Sequence, residues 1–441
     1  MEQRRKNLTQ LFIPICLETL LYMLSGMVDT LMLSSVNDQA VGAVGTANTY
    51  IGIFIIMFSV ISSGMVAVMT QNIGAGRPGV AYQARQLGLA FNAVLGVIMS
   101  LFLSLGAGTI LSGVGVADAL MQPAKTYLQI VGGFCILNAL IPICSSYLRA
   151  FGFSKEPLYA SIIGNVINFC LNAFFLFVLH KGVAGVATAT VISRIINLVI
   201  VVLLGAVLVK AKQHPERESN RAVMGQIIRI GLPSACETAI YNVSMTLVIR
   251  FLNQMDAQGL NVTARSYTMQ ITNFSYCVGA ALAQANAIMT GWHIGAKEYD
   301  ACDCGTKKAA VIGVIVAVIL ETVFTLCSGW IMQLFSKDPQ MVSLVGKLLA
   351  IDIVLEIGRV TNLVYGQALK TSGDAVFPVV MGACFMILCS VGGTYLFGIR
   401  LGLLAVGAYI GMTGDECVRA VGMYLRWKSG KWKEKGLVKS R

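Results

Sequence analysis

The sequence predicts an all-α integral membrane protein of twelve transmembrane helices in two homologous six-helix bundles. Three observations lead there. The 441 residues are 56% hydrophobic and only 12% charged, whereas soluble domains carry about a quarter charged residues. The apolar residues gather in long runs, and the sequence repeats itself at an offset near 220 residues. Water is therefore not this chain's only solvent.

The runs span about 20 to 30 residues, enough to cross a hydrocarbon core of roughly 30 Å at 1.5 Å per helical residue. They fall at about residues 8 to 35, 41 to 71, 87 to 112, 123 to 148, 157 to 179 and 183 to 209. A second set follows at about 225 to 252, 264 to 292, 309 to 335, 341 to 369, 376 to 397 and 402 to 426. The first run is too long for a signal-peptide core and lacks a small-residue cleavage site, so it reads as an uncleaved span.

The formal charge of +12 raises nucleic acid as a partner, but its distribution is topological. Loops on the N-terminal side and the tail hold about 23 Lys and Arg, among them Arg4, Arg5, Arg149, Lys212, Lys370, Lys439 and Arg441. The opposite loops hold 6: Lys125, Lys181, Arg265, Lys337, Lys347 and Arg400. Because basic residues accumulate on the cytoplasmic side, both termini are expected there, in the cell's inner (plasma) membrane, with no nucleic-acid partner. Most of the 12 cysteines are single residues inside apolar runs and behave as small apolar side chains. Cys302 and Cys304 lack the spacing and the nearby His of a zinc site.

The repeat decides the architecture. Pro14, Glu18, Thr19, Tyr22 and Ser25 recur as Pro233, Glu237, Thr238, Tyr241 and Ser244 at an offset of 219. Ile73-Gly74-Ala75 recurs as Ile294-Gly295-Ala296 at 221, and Arg149, Gly152 and Pro157 answer to Lys370, Gly373 and Pro378 at the same offset. Gly182 and Gly402 match at 220. An even number of spans per copy makes the two copies parallel, with the pseudo-twofold axis along the membrane normal. The expected domains are an N-terminal lobe at 1–209, a polar linker at 210–224 that includes His214 and Pro215, a C-terminal lobe at 225–426 and a basic tail at 427–441. In transporters built from such repeats the substrate lies between them and access alternates.

No enzymatic motif survives its context. Gly74-Ala75-Gly76-Arg77-Pro78-Gly79 fits G-x-G-x-x-G, but that pattern has meaning only between a strand and a helix. His180, His214 and His293 lie in separate loops, and there is no Walker-type phosphate loop. Active transport would draw on an ion gradient.

Ionisable groups inside spans are costly and mark pathways or relays. Asp29 has no counterpart, since Val248 holds the matching place, so symmetry does not explain it. Glu18 and Glu237 share one setting, which suits a structural role common to both halves as well as a role in transport. Glu356 and Arg359, three apart on a helix, form either a local ion pair or part of a substrate cavity. Glu321, Asp352, Arg194 and Arg250 are harder to place, and the arginines either snorkel or pair. Asn165, Asn168 and Asn172 follow at helical spacing in the fifth span, suited to interhelical hydrogen bonds or to ligating a hard cation.

Met27-Val28-Asp29-Thr30-Leu31-Met32, Gln71-Asn72-Ile73-Gly74-Ala75-Gly76, Gly231-Leu232-Pro233 and Leu369-Lys370-Thr371-Ser372-Gly373-Asp374 together resemble the multidrug and toxic compound extrusion (MATE) transporters. The resemblance runs from about residue 8 to 426. It implies two bundles flanking a cleft, and export of organic, often cationic, compounds in exchange for protons or sodium. It also implies an N-lobe ion site whose positions here are Asp29, Asn168, Asn172 and Thr190. Where relatives hold a second carboxylate this chain has Asn172, which weakens the attraction for sodium and leaves Asp29 to carry a proton. A span-ten carboxylate of some relatives falls at Arg359, so a substrate cavity with Glu237, Glu356 and Arg359 would accept an anionic or zwitterionic solute unless Glu356 neutralises the arginine.

The expectation is thus a monomeric secondary antiporter, with H+ or Na+ as coupling ion, a possible Na+ at the Asp29 site as the sole metal, and no other cofactor. The alternatives are a flippase for lipid-linked oligosaccharide and a membrane enzyme or receptor.

Overall fold

The computed structural model describes residues 6–35, 38–113, 116–210, 216–256, 259–333, 335–336 and 338–438. Arg4, Arg5, Lys212, His214, Pro215, Lys337, Lys439 and Arg441 lie outside them. Among the described residues there is no strand. The first six helices are α1 (Leu8–Ser34), α2 (Asp38–Gly74), α3 (Pro78–Gly113), α4 (Asp118–Gly132 continued by Ile136–Ala150), α5 (Lys155–Val178) and α6 (Gly182–Leu208). Then come α7 (Asn220–Met255), α8 (Leu260–Gly295), α9 (Tyr299–Leu326), α10 (Pro339–Ser372), α11 (Val376–Arg400) and α12 (Leu404–Lys428).

Each apolar run has become one helix, apart from breaks in the fourth and the ninth, with two instructive differences. Helices α3 and α9 begin at Pro78 and Tyr299, well before their runs at 87 and 309, because the hydrogen-bond ladder continues past the apolar edge that hydropathy marks. The ninth run also breaks at Cys327, after which a short helix, Ser328–Gln333, completes it. Seven helices, α1, α2, α3, α5, α6, α9 and α11, are long and apolar enough to span by composition alone, and α4 joins them as a pair bent by 43°. The other four, α7, α8, α10 and α12, all lie in the second half, and three of them carry buried charges. Leu105, Leu326 and Trp330, about four-fifths exposed, show the apolar exterior that lipid contact requires.

The chain divides into two compact units, Met1–Gly231 and Leu232–Arg441. In the first, Leu103, Ala107, Leu128, Cys135, Leu137 and Ala187 form an apolar core. In the second, Val248, Leu252, Ile271, Val345, Leu348 and Tyr409 do so. The repeat extends to the backbone. At the end of α2, Gly76 has φ +73°, its N–H donates to Ile73 and that of Arg77 to Asn72. At the end of α8, Lys297 has φ +60°, its N–H donates to Ile294 and that of Glu298 to His293. Both are left-handed helix caps, 221 residues apart. Gly152 (φ +86°) and Gly373 (φ +100°) make a second matched pair, capping α4 and α10.

The described part of the polar linker is not free. Glu218 receives Arg77 at 2.6 Å and its backbone N–H donates to Gln83 at 3.0 Å. Nor is the basic tail a solvated charge run. Trp432 stacks on Trp427 with ring centroids 4.2 Å apart, and Lys435 Nζ reaches Asp374 at 2.7 Å.

Candidate functional site

In the first unit the polar residues of α5 meet α1. Asn165 donates to the Leu21 carbonyl at 3.5 Å, and two turns further on Asn172 Nδ2 donates to Asp29 Oδ1 at 2.6 Å. The same amide lies 3.2 Å from Asn168 Oδ1. Asp29, Asn168 and Asn172 are thus brought together. Helical spacing accounts for this, because positions 165, 168 and 172 occupy one stripe of α5. α6 packs on α5 nearby: a Cβ at Gly164 would stand 3.4 Å from the Asn197 side chain, an ordinary contact distance. Asp29 is half-buried, whereas Asn168 and Asn172 are buried.

Asn172 Oδ1 is buried with no hydrogen-bond partner. A carboxylate oxygen and an amide oxygen without a donor are hard ligands that suit a proton-bearing or cation-bearing site. Thr190, also buried, donates its hydroxyl to the Val186 carbonyl at 2.9 Å, which leaves its lone pairs able to accept but forms no bond to Asp29. Arg194, unplaced by the sequence, donates to Asn138 at 2.8 Å and is near enough to Asp29 to act on its charge. In the second unit the position matching Asp29 is Val248, fully buried in the apolar core.

Glu18 and Glu237 are used differently from Asp29. Arg149 Nη2 lies 2.5 Å from Glu18, and Lys370 Nζ lies 2.5 Å from Glu237. The acids are repeat equivalents, and so are the bases. Each pair ties the first helix of its half to the end of the fourth. Among the described residues no hydrogen bond or ion pair joins Glu237 to Glu356 or Arg359.

Glu356 and Arg359 do meet, in an ion pair on α10 between a buried acid and a half-buried base. The network continues into α12, where Arg359 Nε lies 3.8 Å from Glu416 and Asn362 donates to Glu416 at 3.0 Å. Arg419 grips both Asp415 and Glu416 at 2.8 Å, and Ser390 of α11 donates to Asp415 at 3.0 Å. Gly358 makes this possible. A Cβ there would lie 2.8 Å from the Cys417 nitrogen, so only glycine lets α10 and α12 approach so closely. Sequence reasoning misses Asp415, Glu416 and Arg419. The signal that could have found them is three charges within five residues of an apolar run, at i, i+3 and i, i+4 spacing.

Comparison with known proteins agrees with this architecture. The signature of the family described as MatE matches residues 14–174 and 233–396, one match in each half. An uncharacterized transporter, YisQ, of Bacillus subtilis is 34% identical over 96% of this chain and 94% of its own length. A probable multidrug resistance protein, NorM, of Thermotoga maritima is 23% identical over 98% and 94%. The solved outward-facing structure of a multidrug resistance MATE family transporter superposes with a TM-score of 0.86 over 98% of this chain and 96% of that one, at 18% identity. Two six-helix halves, a family signature in each and full-length relatives that are transporters place the chain in one class: it is a multi-pass membrane transporter belonging to the MatE, or multidrug and toxic compound extrusion, family.

Proposed function

We propose that the chain is a secondary antiporter that exports small organic compounds in exchange for H+ or Na+. The observation that carries this reading is the Asp29–Asn172–Asn168 arrangement. One carboxylate without a basic hydrogen-bond partner stands against an amide whose oxygen is unsatisfied, a place where a proton or sodium ion changes the bonding between α1 and α5. With an ion bound, Asp29 no longer needs the Asn172 donor and α1 is released. With the ion gone, the 2.6 Å bond re-forms. Ion and solute then alternate, as expected of repeats that move against one another.

In the second half, Glu356 neutralises Arg359, so a cationic or neutral organic solute is compatible with this lobe. A flippase for lipid-linked oligosaccharide asks for a markedly cationic cavity. Arg359 and Arg419 are instead outnumbered by the acids around them, which favours the antiporter. The distribution of basic residues supports cytoplasmic termini in a plasma membrane.

The test is solute efflux from proteoliposomes under an imposed proton or sodium gradient. Wild type should transport with one of the two gradients, and Asp29→Asn should lose that dependence while remaining folded. Gradient-driven efflux by Asp29→Asn at the wild-type rate would sink the assignment.

A further inference from the structure

Arg85 lies near the start of α3, just before the apolar run that begins at about residue 87, and so at the boundary between headgroups and hydrocarbon. Its guanidinium carbon stands 4.6 Å from the ring centroid of Tyr147 on α4 and 5.9 Å from that of Tyr82. Tyr147 is 1% exposed and is held edge-on by Phe151, with centroids 5.1 Å apart. Behind it comes α6, where a Cβ at Gly205 would lie 3.7 Å from the Tyr147 ring. The arginine thus rests on an aromatic platform that other helices hold still. A guanidinium over a ring face keeps its in-plane N–H groups for a further acceptor.

That acceptor is not supplied by the protein. Among the described residues no carboxylate pairs with Arg85, and both its Nε and the Tyr147 hydroxyl are buried without a hydrogen-bond partner. The Cys144 thiol stands against Arg85, but sulfur is a weak acceptor. Other basic residues at this end of the unit are already engaged, Arg77 by Glu218 at 2.6 Å and Arg149 by Glu18 at 2.5 Å. Nor does the repeat explain the arrangement. The offset of 221 puts Thr306 and Ala368 in the places of Arg85 and Tyr147, and Thr306 is fully buried beside Asn286 at 3.5 Å. Donors shut away from water without acceptors are unfavourable. An anion with several acceptor oxygens satisfies them, and phosphate fits the fork of an arginine.

The surroundings select the molecule that carries the phosphate. Ala90, Val94, Val97 and Leu101 follow Arg85 along α3 at helical spacing and are all exposed, a continuous apolar stripe that starts next to the charge. A phospholipid has the same order, phosphate first and acyl chain below it. We propose that Arg85, with the hydroxyls of Tyr147 and Tyr82, binds the phosphodiester of one anionic phospholipid whose acyl chain lies along this stripe of α3. Basic pockets between membrane helices recognise such headgroups. The bound lipid would tie the start of α3 to the end of α4, and the site is separate from Asp29 and from the ion-coupling reading.

Native mass spectrometry of the purified full-length chain in detergent, titrated with phosphatidylglycerol, tests the site. Wild type should retain one tightly held phosphatidylglycerol per chain, and that lipid should raise its melting temperature. Arg85→Gln should bind it about tenfold more weakly, and Tyr82→Phe combined with Tyr147→Phe, which keeps both rings, should bind it several-fold more weakly. Lys433→Gln on the exposed tail should bind as wild type does, which separates a built site from general attraction between basic residues and anionic lipid. Inorganic phosphate at matched ionic strength supplies the headgroup chemistry without the acyl chain and should leave the melting temperature unchanged. The proposal is overturned if Arg85→Gln binds phosphatidylglycerol as tightly as wild type, if Lys433→Gln weakens binding as much as Arg85→Gln does, or if inorganic phosphate stabilises as well as the lipid. Should Arg85→Gln not fold, the paired tyrosine variant decides, and an unaltered affinity there overturns it as well.

Discussion

Lys370 holds Glu237 at 2.5 Å in the second half as Arg149 holds Glu18 at 2.5 Å in the first. The duplicated pairs locate an inherited structural element. In each half an acid within the first span is matched by a base at the end of the fourth, so the two helices are cross-linked through charge. The Arg149 and Glu18 side chains are only 11% and 15% exposed, which leaves either group poorly solvated if its partner is lost.

Removing both members should therefore cost less than the two single losses added together. Arg149→Gln or Glu18→Gln alone is expected to destabilise by about 2–4 kcal/mol, and the double variant by clearly less than the sum. Thermal unfolding in detergent across the double-mutant cycle measures the coupling. Strict additivity would mean that the pair contributes only as two isolated contacts.

How much of this is legible in sequence depends on whether the relevant partners are near in the chain or related by the repeat. Asp29 stands out because its repeat partner is Val248, and the Asn stripe of α5 can be read from spacing alone. The lysine at 370 aligns with Arg149, yet its contact with Glu237 needs the fold, because 133 residues separate the two. The proximity of Glu321, Asp352 and Glu356 is hidden for the same reason. Asp352 and Glu356 share a helix face, a like-charge i, i+4 pair that is unfavourable by itself, but Glu321 joins them only through packing of α9 on α10. Thr190 illustrates the reverse case. Its place is implied by resemblance, and its hydroxyl is engaged with its own helix.

The two left-handed caps give a prediction about strain. Gly76 occupies φ +73° without cost, whereas Lys297 holds φ +60° with a side chain, and the left-handed region costs an L-residue about 1–2 kcal/mol. Lys297 is exposed, so its side chain has little packing to lose. Lys297→Gly should stabilise the protein by about 0.5–1 kcal/mol after the greater unfolded-state freedom of glycine is counted. Gly76→Ala should destabilise it by about 1 kcal/mol. Melting temperatures of the two single variants decide, and a loss on Lys297→Gly would show that the lysine contributes something other than strain.

Asn172 connects Asp29 to α5, and its two polar ends make separable predictions. Asn172→Leu removes both the donor to Asp29 and the free oxygen, and should abolish gradient-driven efflux while costing about 1–3 kcal/mol of stability for the unpaired carboxylate. Asn172→Asp supplies a second carboxylate in place of the amide and should increase sodium affinity at the site, because two negative oxygens attract the ion more strongly than one. Sodium-dependent efflux at fixed pH measures it. Identical sodium dependence in wild type and Asn172→Asp would argue against ion binding at this position.

The docked tail yields a pH prediction outside the membrane-spanning segments. Burial disfavours the Asp374 carboxylate, but hydrogen bonds from Arg426 and Lys435, each at 2.7 Å, outweigh it and hold the group below the usual carboxylate range. A carboxyl with a depressed folded pKa stabilises the folded form above its unfolded value of about 3.9, and that contribution disappears as pH falls through the lower folded value. The clamp should thus be intact at neutral pH and release only in strong acid. Asp374→Asn reproduces the released state at any pH, freeing the stretch that carries Lys431, Lys433 and Lys435. Limited trypsin digestion at pH 8 should then cut the tail of Asp374→Asn at least several-fold faster than that of wild type. Equal cutting rates would mean that the Trp427–Trp432 stack, with its 4.2 Å centroid spacing, holds the tail without help from the acid.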